Sequence, residues 1–138
     1  MTTQYWLVKS EPASYAWDDL LRDGHTAWTG VRNYAARNHL RGMRAGDQVL
    51  FYHSGEAKSV IGLGGIIRPA FPDPTAPAGE DWSAVELHAL RTLPSPVTLT
   101  QIRAQPALAG IALLRQGRLS VQPLAAKEFA LILKLGGA

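Results

Sequence analysis

The order of the predicted elements indicates an α+β domain whose strands close into a small barrel. A strand comes first, helices follow, and a run of strands then leads into further helices. Gly62, Gly64 and Gly65 fall inside one predicted strand. Glycines there are typical of the bends, bulges and close backbone approaches that a small barrel needs. Because 138 residues are one domain by length, we predict a single domain over residues 1–138.

The first half of the chain alternates strand and helix. Tyr5–Ser10 is rich in aromatic and β-branched residues, which predicts a strand that ends before Pro12. Its alternation places Trp6 and Val8 on one face and Leu7 on the other. The elements predicted next are a helix at 15–22 with Ser14 as its N-cap, a loop at 25–33, a helix at 34–40 and a strand at 48–53.

The second half of the chain holds the glycine-containing strand and the closing helices. Four prolines lie close together after that strand and predict a surface loop. Phe129 and Leu133 belong to an apolar stripe with the period of a helix. The elements predicted here are a strand at 60–67, the loop at 70–78, a strand at 82–93, a helix at 99–104 capped by Thr98, a helical turn at 106–110, a strand at 118–122 and a helix at 124–135.

The composition excludes several kinds of site. There are no cysteines, which rules out disulfides, thiolate catalysis and cysteine-based zinc sites. The four histidines lack the spacing of metal motifs, so we expect no metal. The N-terminal residues lack the basic and apolar regions of a signal peptide, and no apolar run is as long as a membrane span. We therefore expect a cytoplasmic protein without a membrane partner.

No set of residues with a catalytic pattern stands out. His53 and Ser54 are adjacent on a predicted strand, so their side chains point to opposite faces and cannot act as a base and a nucleophile together. The glycines at 62–65 match neither a dinucleotide fingerprint nor a phosphate loop. No pair of carboxylates suggests acid–base chemistry. We therefore expect a protein that is not an enzyme and that uses no cofactor.

The charges are segregated along the chain, although the formal net charge is only +3. Residues 28–46 contain four arginines and no acid, and residues 87–127 contain four arginines and one lysine, again without an acid. Segregated positive charge favours a polyanionic partner such as a nucleic acid. Arginines that are merely solvated are the alternative explanation.

Residues 28–38 concentrate the groups that recognise a single base. They contain two aromatic rings, two arginines and two asparagines. Aromatic rings stack on bases, arginines hold phosphates, and amides read base edges. The alternative is that Trp28 and Tyr34 only anchor the core.

Four segments resemble one protein family, the EVE domains. Residues 5–12 resemble the Y-W-L-x-K-S-E-P opening of that family, and residues 28–38 resemble its W-x-G-V-R-N-Y-x-A-R-N block. Residues 48–54 resemble its V-L-F-Y-H-S strand, and residues 114–123 resemble its L-x-R-G-R-L-S-V-Q-P segment. The four motifs occur in the family's order from residue 5 to about residue 135.

The resemblance implies a PUA-like fold, a bent pseudo-β-barrel of about five or six strands flanked by helices and related to YTH and ASCH domains. It also implies a reader of modified bases in DNA or RNA, whose pocket lies between the barrel and its helices. The family is not known for catalysis. The stretch from Pro72 to Trp82 is shorter than the proline-rich insert typical of many members, so any contact of that insert with the nucleic-acid backbone would differ here.

The motifs and their chemistry together assign site residues. Trp28 is the expected stacking wall, with Phe51 and Tyr52 as further walls, although Phe51 also fits a core position. The residues expected to bond the base edge are Ser10, Asn33, Ser120 and Gln122. The residues expected to contact phosphate are Lys9, Arg32, Arg37 and Arg118. Two other functions stay open: an enzyme acting on modified nucleotides, and a module that binds a small molecule or peptide in the same pocket.

Overall fold

The computed structural model describes residues 3–138, so the first two residues of the predicted domain lie outside the described residues. The six strands of the described part are β1 Tyr5–Ser10, β2 His25–Trp28, β3 Gln48–His53, β4 Ser59–Pro72, β5 Ser83–Thr98 and β6 Val121–Leu124. Its helices are α1 Trp17–Asp23, α2 Tyr34–Gly42, α3 Leu99–Arg103, a 3-10 turn Pro106–Leu108, α4 Ala112–Arg115 and α5 Ala126–Leu135.

The strands form one mixed sheet in the order β2-β5-β4-β3-β1-β6. The β1–β3 pair is parallel and the other pairs are antiparallel. The long β4–β5 pair shifts register at four points, and such bulges bend a sheet. Trp28 of β2 and Ser120, next to β6, line the same cavity although β2 and β6 are opposite edges. The sheet therefore curls round on itself, which confirms the predicted α+β fold and its pseudo-barrel.

Each face of the sheet has its own apolar core. The first core contains Trp6, Val8 and Phe51 and is covered by α1 and α2. The second contains Leu7 and Tyr52 and is covered by the helices that follow β5. Neighbours in β1 thus alternate between the cores, as its sequence predicted.

Gly62 marks a close approach between a strand and a helix. A Cβ atom added at Gly62 would lie 2.3 Å from the Trp17 ring of α1. A Cβ at Gly64 would lie 2.9 Å from the His88 carbonyl oxygen of β5. Gly62 therefore leaves room for the Trp17 ring, and Gly64 leaves room for the backbone of β5. This confirms the predicted close backbone approach.

The structure corrects two elements in the first half of the chain. The predicted loop at 25–33 begins with β2, which pairs with β5 from His25 opposite His88 to Trp28 opposite Val85. This pairing is a long-range contact that local sequence does not reveal. The first helix begins at Trp17, and its N-cap position is Ala16 rather than Ser14; the Trp17 N–H donates to Nε2 of His53 at 2.9 Å.

Three boundaries in the second half also differ from the prediction. β4 and β5 pair well beyond the predicted strands, so the loop between them begins only at Asp73. Arg118 lies in a turn, and β6 begins at Val121, where pairing with β1 begins. Leu124 closes β6, so α5 begins at Ala126. The Thr98 cap of α3 is confirmed, because its hydroxyl accepts the Gln101 N–H at 3.1 Å.

Candidate functional site

A cavity of about 490 Å³ opens where the two edges of the sheet meet. This volume falls within the range of about 300–1,000 Å³ typical of small-ligand sites. Its walls come from the end of β1, from β2 with the loop that follows, and from the segment before β6. The residues lining it are Lys9, Ser10, Glu11, Ser14, Tyr15, Thr26, Ala27, Trp28, Thr29, Gly30, Val31, Arg32 and Ser120.

Five of the predicted site residues meet in this cavity: Lys9, Ser10, Trp28, Arg32 and Ser120. They come from three of the four motifs that carry the family resemblance. The sheet brings these distant segments together because β6 pairs with β1, and the Lys9 N–H donates to the Ser120 carbonyl at 2.9 Å.

Trp28 is at once a wall of the cavity and part of the first core. Its side chain is 9% exposed, and it meets Phe51 edge-on at 5.5 Å and Tyr15 edge-on at 6.4 Å between ring centroids. Such edge-to-face contacts fix the orientation of a ring. Trp28 is therefore a core residue that also faces the cavity, and its role as a stacking wall stays a prediction.

Ser10 and Lys9 give the cavity an acceptor and a donor. The Ser10 hydroxyl donates to the Tyr15 carbonyl, which leaves its oxygen free to accept a further hydrogen bond. Nζ of Lys9 donates to the Gly117 carbonyl at 2.6 Å, and partial burial lowers the pKa of Lys9. An ammonium has three N–H donors, so two remain for a ligand.

Asp73, from the loop after β4, fixes the rim of the cavity. Its Oδ2 accepts the Gly30 N–H at 2.8 Å and an Nη1–H of Arg32 at 3.0 Å. Its Oδ1 accepts both the N–H and the hydroxyl of Thr75 at 2.7 Å. Gly30 and Arg32 both line the cavity, so one carboxylate holds the loop that shapes it.

The ionised form of Asp73 is strongly favoured. Burial alone would raise the pKa of this carboxyl, but the hydrogen bonds from Thr75, Gly30 and Arg32 outweigh it and bring the pKa to about 2. The Asp73 carboxylate stays charged and neutralises Arg32 across any ordinary pH range. Arg32 therefore carries less free positive charge than its sequence position suggested.

Sequence reasoning overlooked several cavity residues and the carboxylate that braces the rim. Glu11 and Tyr15 line the cavity beside Ser10. Glu11 belongs to the first family motif, and that motif is the signal that could have identified it. The hydroxyl of Tyr15 donates to Asp23 at 2.8 Å. Asp73 stands between two prolines and bonds locally to Thr75, but its partners on the rim, Gly30 and Arg32, lie more than 40 residues away, so its role at the cavity has no local signature.

Four predicted pocket residues lie outside the cavity. Phe51 supports Trp28 from within the first core, and Tyr52 points to the second core because neighbours on a strand face opposite ways. The Asn33 side chain accepts the Ala36 N–H at 2.9 Å and so caps α2. Gln122 is fully buried, and its Nε2 lies 3.5 Å from the Leu119 carbonyl oxygen.

Two predicted phosphate residues also lie outside the cavity. Arg118 is exposed in the turn beside Gly117, whose carbonyl accepts from Lys9. Arg37 lies over the ring of Tyr34 at 5.0 Å. Arg118 is therefore exposed next to a residue that bonds Lys9, whereas Arg37 lies on a separate aromatic surface.

The described residues contain neither a cluster of metal ligands nor a helix that could span a membrane. Across residues 3–138, no group of three or more His, Asp or Glu side chains is placed to hold a metal ion. No helix in the same range has the length and apolar character needed to cross a membrane.

The bent six-stranded sheet, with one cavity where its edges meet, defines a PUA-like domain. A family model described as EVE domain matches residues 4–135. The chain therefore belongs to the EVE domain family, as its motifs predicted.

The relatives agree with this assignment. Thymocyte nuclear protein 1 of Mus musculus is 35% identical over 96% of this chain and 74% of its own length. A protein of Rhodopseudomonas palustris, solved by NMR, is 47% identical with a TM-score of 0.91, over 98% of this chain and 94% of its own. The human THYN1 protein, solved in complex with DNA containing 5-methylcytosine, is 31% identical with a TM-score of 0.90, over 99% of each chain.

Proposed function

We propose that this protein reads nucleic acid by taking a single modified base into the cavity beside Trp28. The observation that carries the proposal is the cavity itself, where an aromatic wall, hydrogen-bonding groups and cationic side chains meet. The human relative in complex with DNA containing 5-methylcytosine supports it. That relative makes 5-methylcytosine in DNA the first ligand to test, with modified bases in RNA as the other class.

The cavity can supply each interaction that a base needs. Trp28 offers a rigid ring, and stacking on an aromatic ring is worth about 1–3 kcal/mol per base. The Ser10 oxygen and the Glu11 carboxylate are acceptors suited to an exocyclic amine, such as that of cytosine. Lys9 supplies donors for a ring nitrogen or carbonyl.

Taking a base out of a duplex has an energetic cost. Unstacking and unpairing require a few kcal/mol, and less when the base is mismatched or already single-stranded. Arg118 is exposed in the turn two residues before Ser120, which lines the cavity. Its contact with phosphate would offset part of that cost without reading sequence.

The test is binding to matched short oligonucleotides of DNA and RNA, unmodified or with one modified cytosine or adenine, at low and high salt. Preference for one modified base that persists at high salt is the expected result, because stacking and base-edge bonds are less sensitive to salt than phosphate contacts. Binding that ignores the modification and disappears with salt would contradict the proposal.

A pair of charge-matched variants separates the cavity from general charge attraction. Lys9→Met removes a cation that lines the cavity, whereas Lys127→Met removes an exposed cation on α5. Both lower the net charge equally. We expect Lys9→Met to lose discrimination between modified and unmodified oligonucleotides and Lys127→Met to keep it. Equal losses would show that only overall charge matters.

We further propose binding without turnover. Glu11 is the one carboxylate among the residues that line the cavity, so no pair of acids is available there for general acid–base chemistry. Prolonged incubation with a bound modified oligonucleotide should leave its mass unchanged. A new product mass would show instead that the protein is an enzyme.

The proposed ligand also indicates where the protein acts. Nucleic acid open to such a reader lies inside the cell, so we propose a cytoplasmic protein. A fluorescent fusion should stay inside the cell with the nucleic acid, and export of the fusion would contradict this location.

A further inference from the structure

A second aromatic surface lies next to the cavity. Tyr34 begins α2 and stacks on Trp82, with ring centroids 5.1 Å apart and planes inclined by 20°. Tyr34 is 67% exposed, whereas Trp82 is 8% exposed. The buried Trp82 ring therefore holds the Tyr34 ring in place while most of Tyr34 stays open to solvent. The Tyr34–Trp82 pair is called the aromatic platform below.

One face of Tyr34 is free to accept a planar ligand. The Arg37 guanidinium carbon lies 5.0 Å from the Tyr34 centroid and 5.9 Å from the Trp82 centroid. A guanidinium stacked on the face of Tyr34 that turns away from Trp82 would lie much farther from Trp82 than this 5.9 Å, because the Tyr34 ring would stand between them. Arg37 therefore lies over the same side of the Tyr34 ring as Trp82 does, and within residues 3–138 the exposure of Tyr34 belongs mainly to its other face.

Arg32 connects the platform to the cavity. Its guanidinium carbon lies 5.6 Å from the Trp82 centroid, and the same residue lines the cavity. Asp73 fixes Arg32 in place through a hydrogen bond at 3.0 Å. A strand whose base enters the cavity would therefore have its next nucleotide close to the platform.

The charges around the platform are nearly balanced, so stacking is the interaction it can offer. Asp81 pairs with Arg41 at 2.6 Å and lies 3.9 Å from Arg37. Glu80 accepts the Trp82 indole N–H at 2.8 Å. With Asp73 beside Arg32, three acids offset three arginines. A phosphate would gain little here, whereas any base has a ring face that can stack on Tyr34.

We propose that the aromatic platform stacks the nucleobase that neighbours the base in the cavity, on the same strand. The proposal rests on the proposed function, since it assigns a second contact to the same nucleic acid. The ligand class is any base, because stacking on a ring does not read hydrogen-bonding groups.

The test measures affinity for a modified oligonucleotide and for the same oligonucleotide made abasic at either neighbouring position. Tyr34→Ala should weaken binding to the intact oligonucleotide by roughly 5- to 150-fold, which corresponds to the stacking of one base. Tyr34→Phe keeps the ring and should bind as the wild type does. For one of the two abasic oligonucleotides, Tyr34→Ala should cause no further loss, because the stacked base is already gone.

The salt dependence gives a second readout. Tyr34→Ala should leave the slope of affinity against salt unchanged, because no phosphate contact is lost. An altered slope, or equal losses on intact and abasic oligonucleotides, would overturn the proposal. Tyr34 is exposed at the first turn of α2, so the fold should persist, and the thermal midpoint of the variant checks this.

Failure of the platform and failure of the cavity give different results. If the wild type prefers a modified base and Lys9→Met loses that preference while Tyr34→Ala binds normally, the platform proposal is wrong and the reader function stands. If the wild type shows no preference for any base, the reader function fails and the platform proposal fails with it.

Discussion

Replacement of Asp73 by asparagine should destabilise the protein and distort the cavity rim together. The pKa of this buried carboxyl falls from 3.8 to about 2. Since one pH unit corresponds to about 1.4 kcal/mol, the ionised form contributes about 2 kcal/mol to the folded state. Asparagine keeps one acceptor but places an amide donor near the N–H groups of Gly30 and Arg32. We expect Asp73→Asn to lose about 2–3 kcal/mol at pH 7.

The sign of the pH dependence follows from the lowered pKa of Asp73. Its contribution is complete above the unfolded value of 3.8 and is lost as pH falls toward about 2. At pH 3, roughly half of the contribution of the Asp73 carboxylate remains. The difference in unfolding free energy between wild type and Asp73→Asn should therefore be smaller at pH 3 than at pH 7 by about 1 kcal/mol. Urea unfolding followed by tryptophan fluorescence at pH 7 and pH 3 measures both gaps.

A gap that is the same at pH 7 and pH 3 would refute the role given to the Asp73 charge. The control is Asp81→Asn, which removes a carboxylate that is 80% exposed and paired with Arg41. Exposed pairs are worth at most about 1 kcal/mol, so this variant should stay near the wild type. Under conditions where the Asp73→Asn variant is still folded, it should also bind the modified oligonucleotide more weakly than the wild type, because Arg32 is no longer held in place.

Three further variants test other features. Trp28→Ala should cost about 3–5 kcal/mol because Trp28 belongs to the core, so Trp28→Phe is the better test of stacking: it should fold and bind a modified base more weakly, and unchanged binding would remove Trp28 from the site. Arg118→Ala should weaken binding to all oligonucleotides alike and reduce the salt slope by about 1, as titrations at several salt concentrations would show; an unchanged slope would exclude a phosphate contact. Gly62→Ala should destabilise by about 1–3 kcal/mol in thermal unfolding, whereas Gly110→Ala, with open space around it, should be close to neutral, and similar midpoints would refute the close approach.

Strong local patterns predicted much of the fold. The alternation in Tyr5–Ser10 and the glycines of β4 report their own backbone environment, so both predictions are confirmed. β2 was missed because its four residues carry little pattern, and its pairing with β5 is a contact between distant segments. The start of α1 was misplaced because its N-cap position is Ala16, whose side chain cannot cap, and the first N–H of the helix bonds to His53 of β3.

The site was partly predictable for the same reason. The family motifs and the expected chemistry pointed to Lys9, Ser10 and Trp28, and the structure brings these three residues together in one cavity. Tyr52 was included for its chemistry alone, and strand alternation turns it to the other core. Asp73 could not be predicted, because its role at the rim comes from Gly30 and Arg32, which only folding brings near.

The hydrogen bond from Lys9 to Gly117 joins segments 108 residues apart. The cavity is therefore built from contacts between residues far apart in sequence. It forms only after β6 has docked on β1, and no short fragment of the chain contains it. Ligand binding and the docking of β6 are thus thermodynamically linked, and a bound base stabilises the docked state by mass action. Amide exchange in β6, a strand remote in sequence from most of the cavity walls, should accordingly slow as the cavity fills.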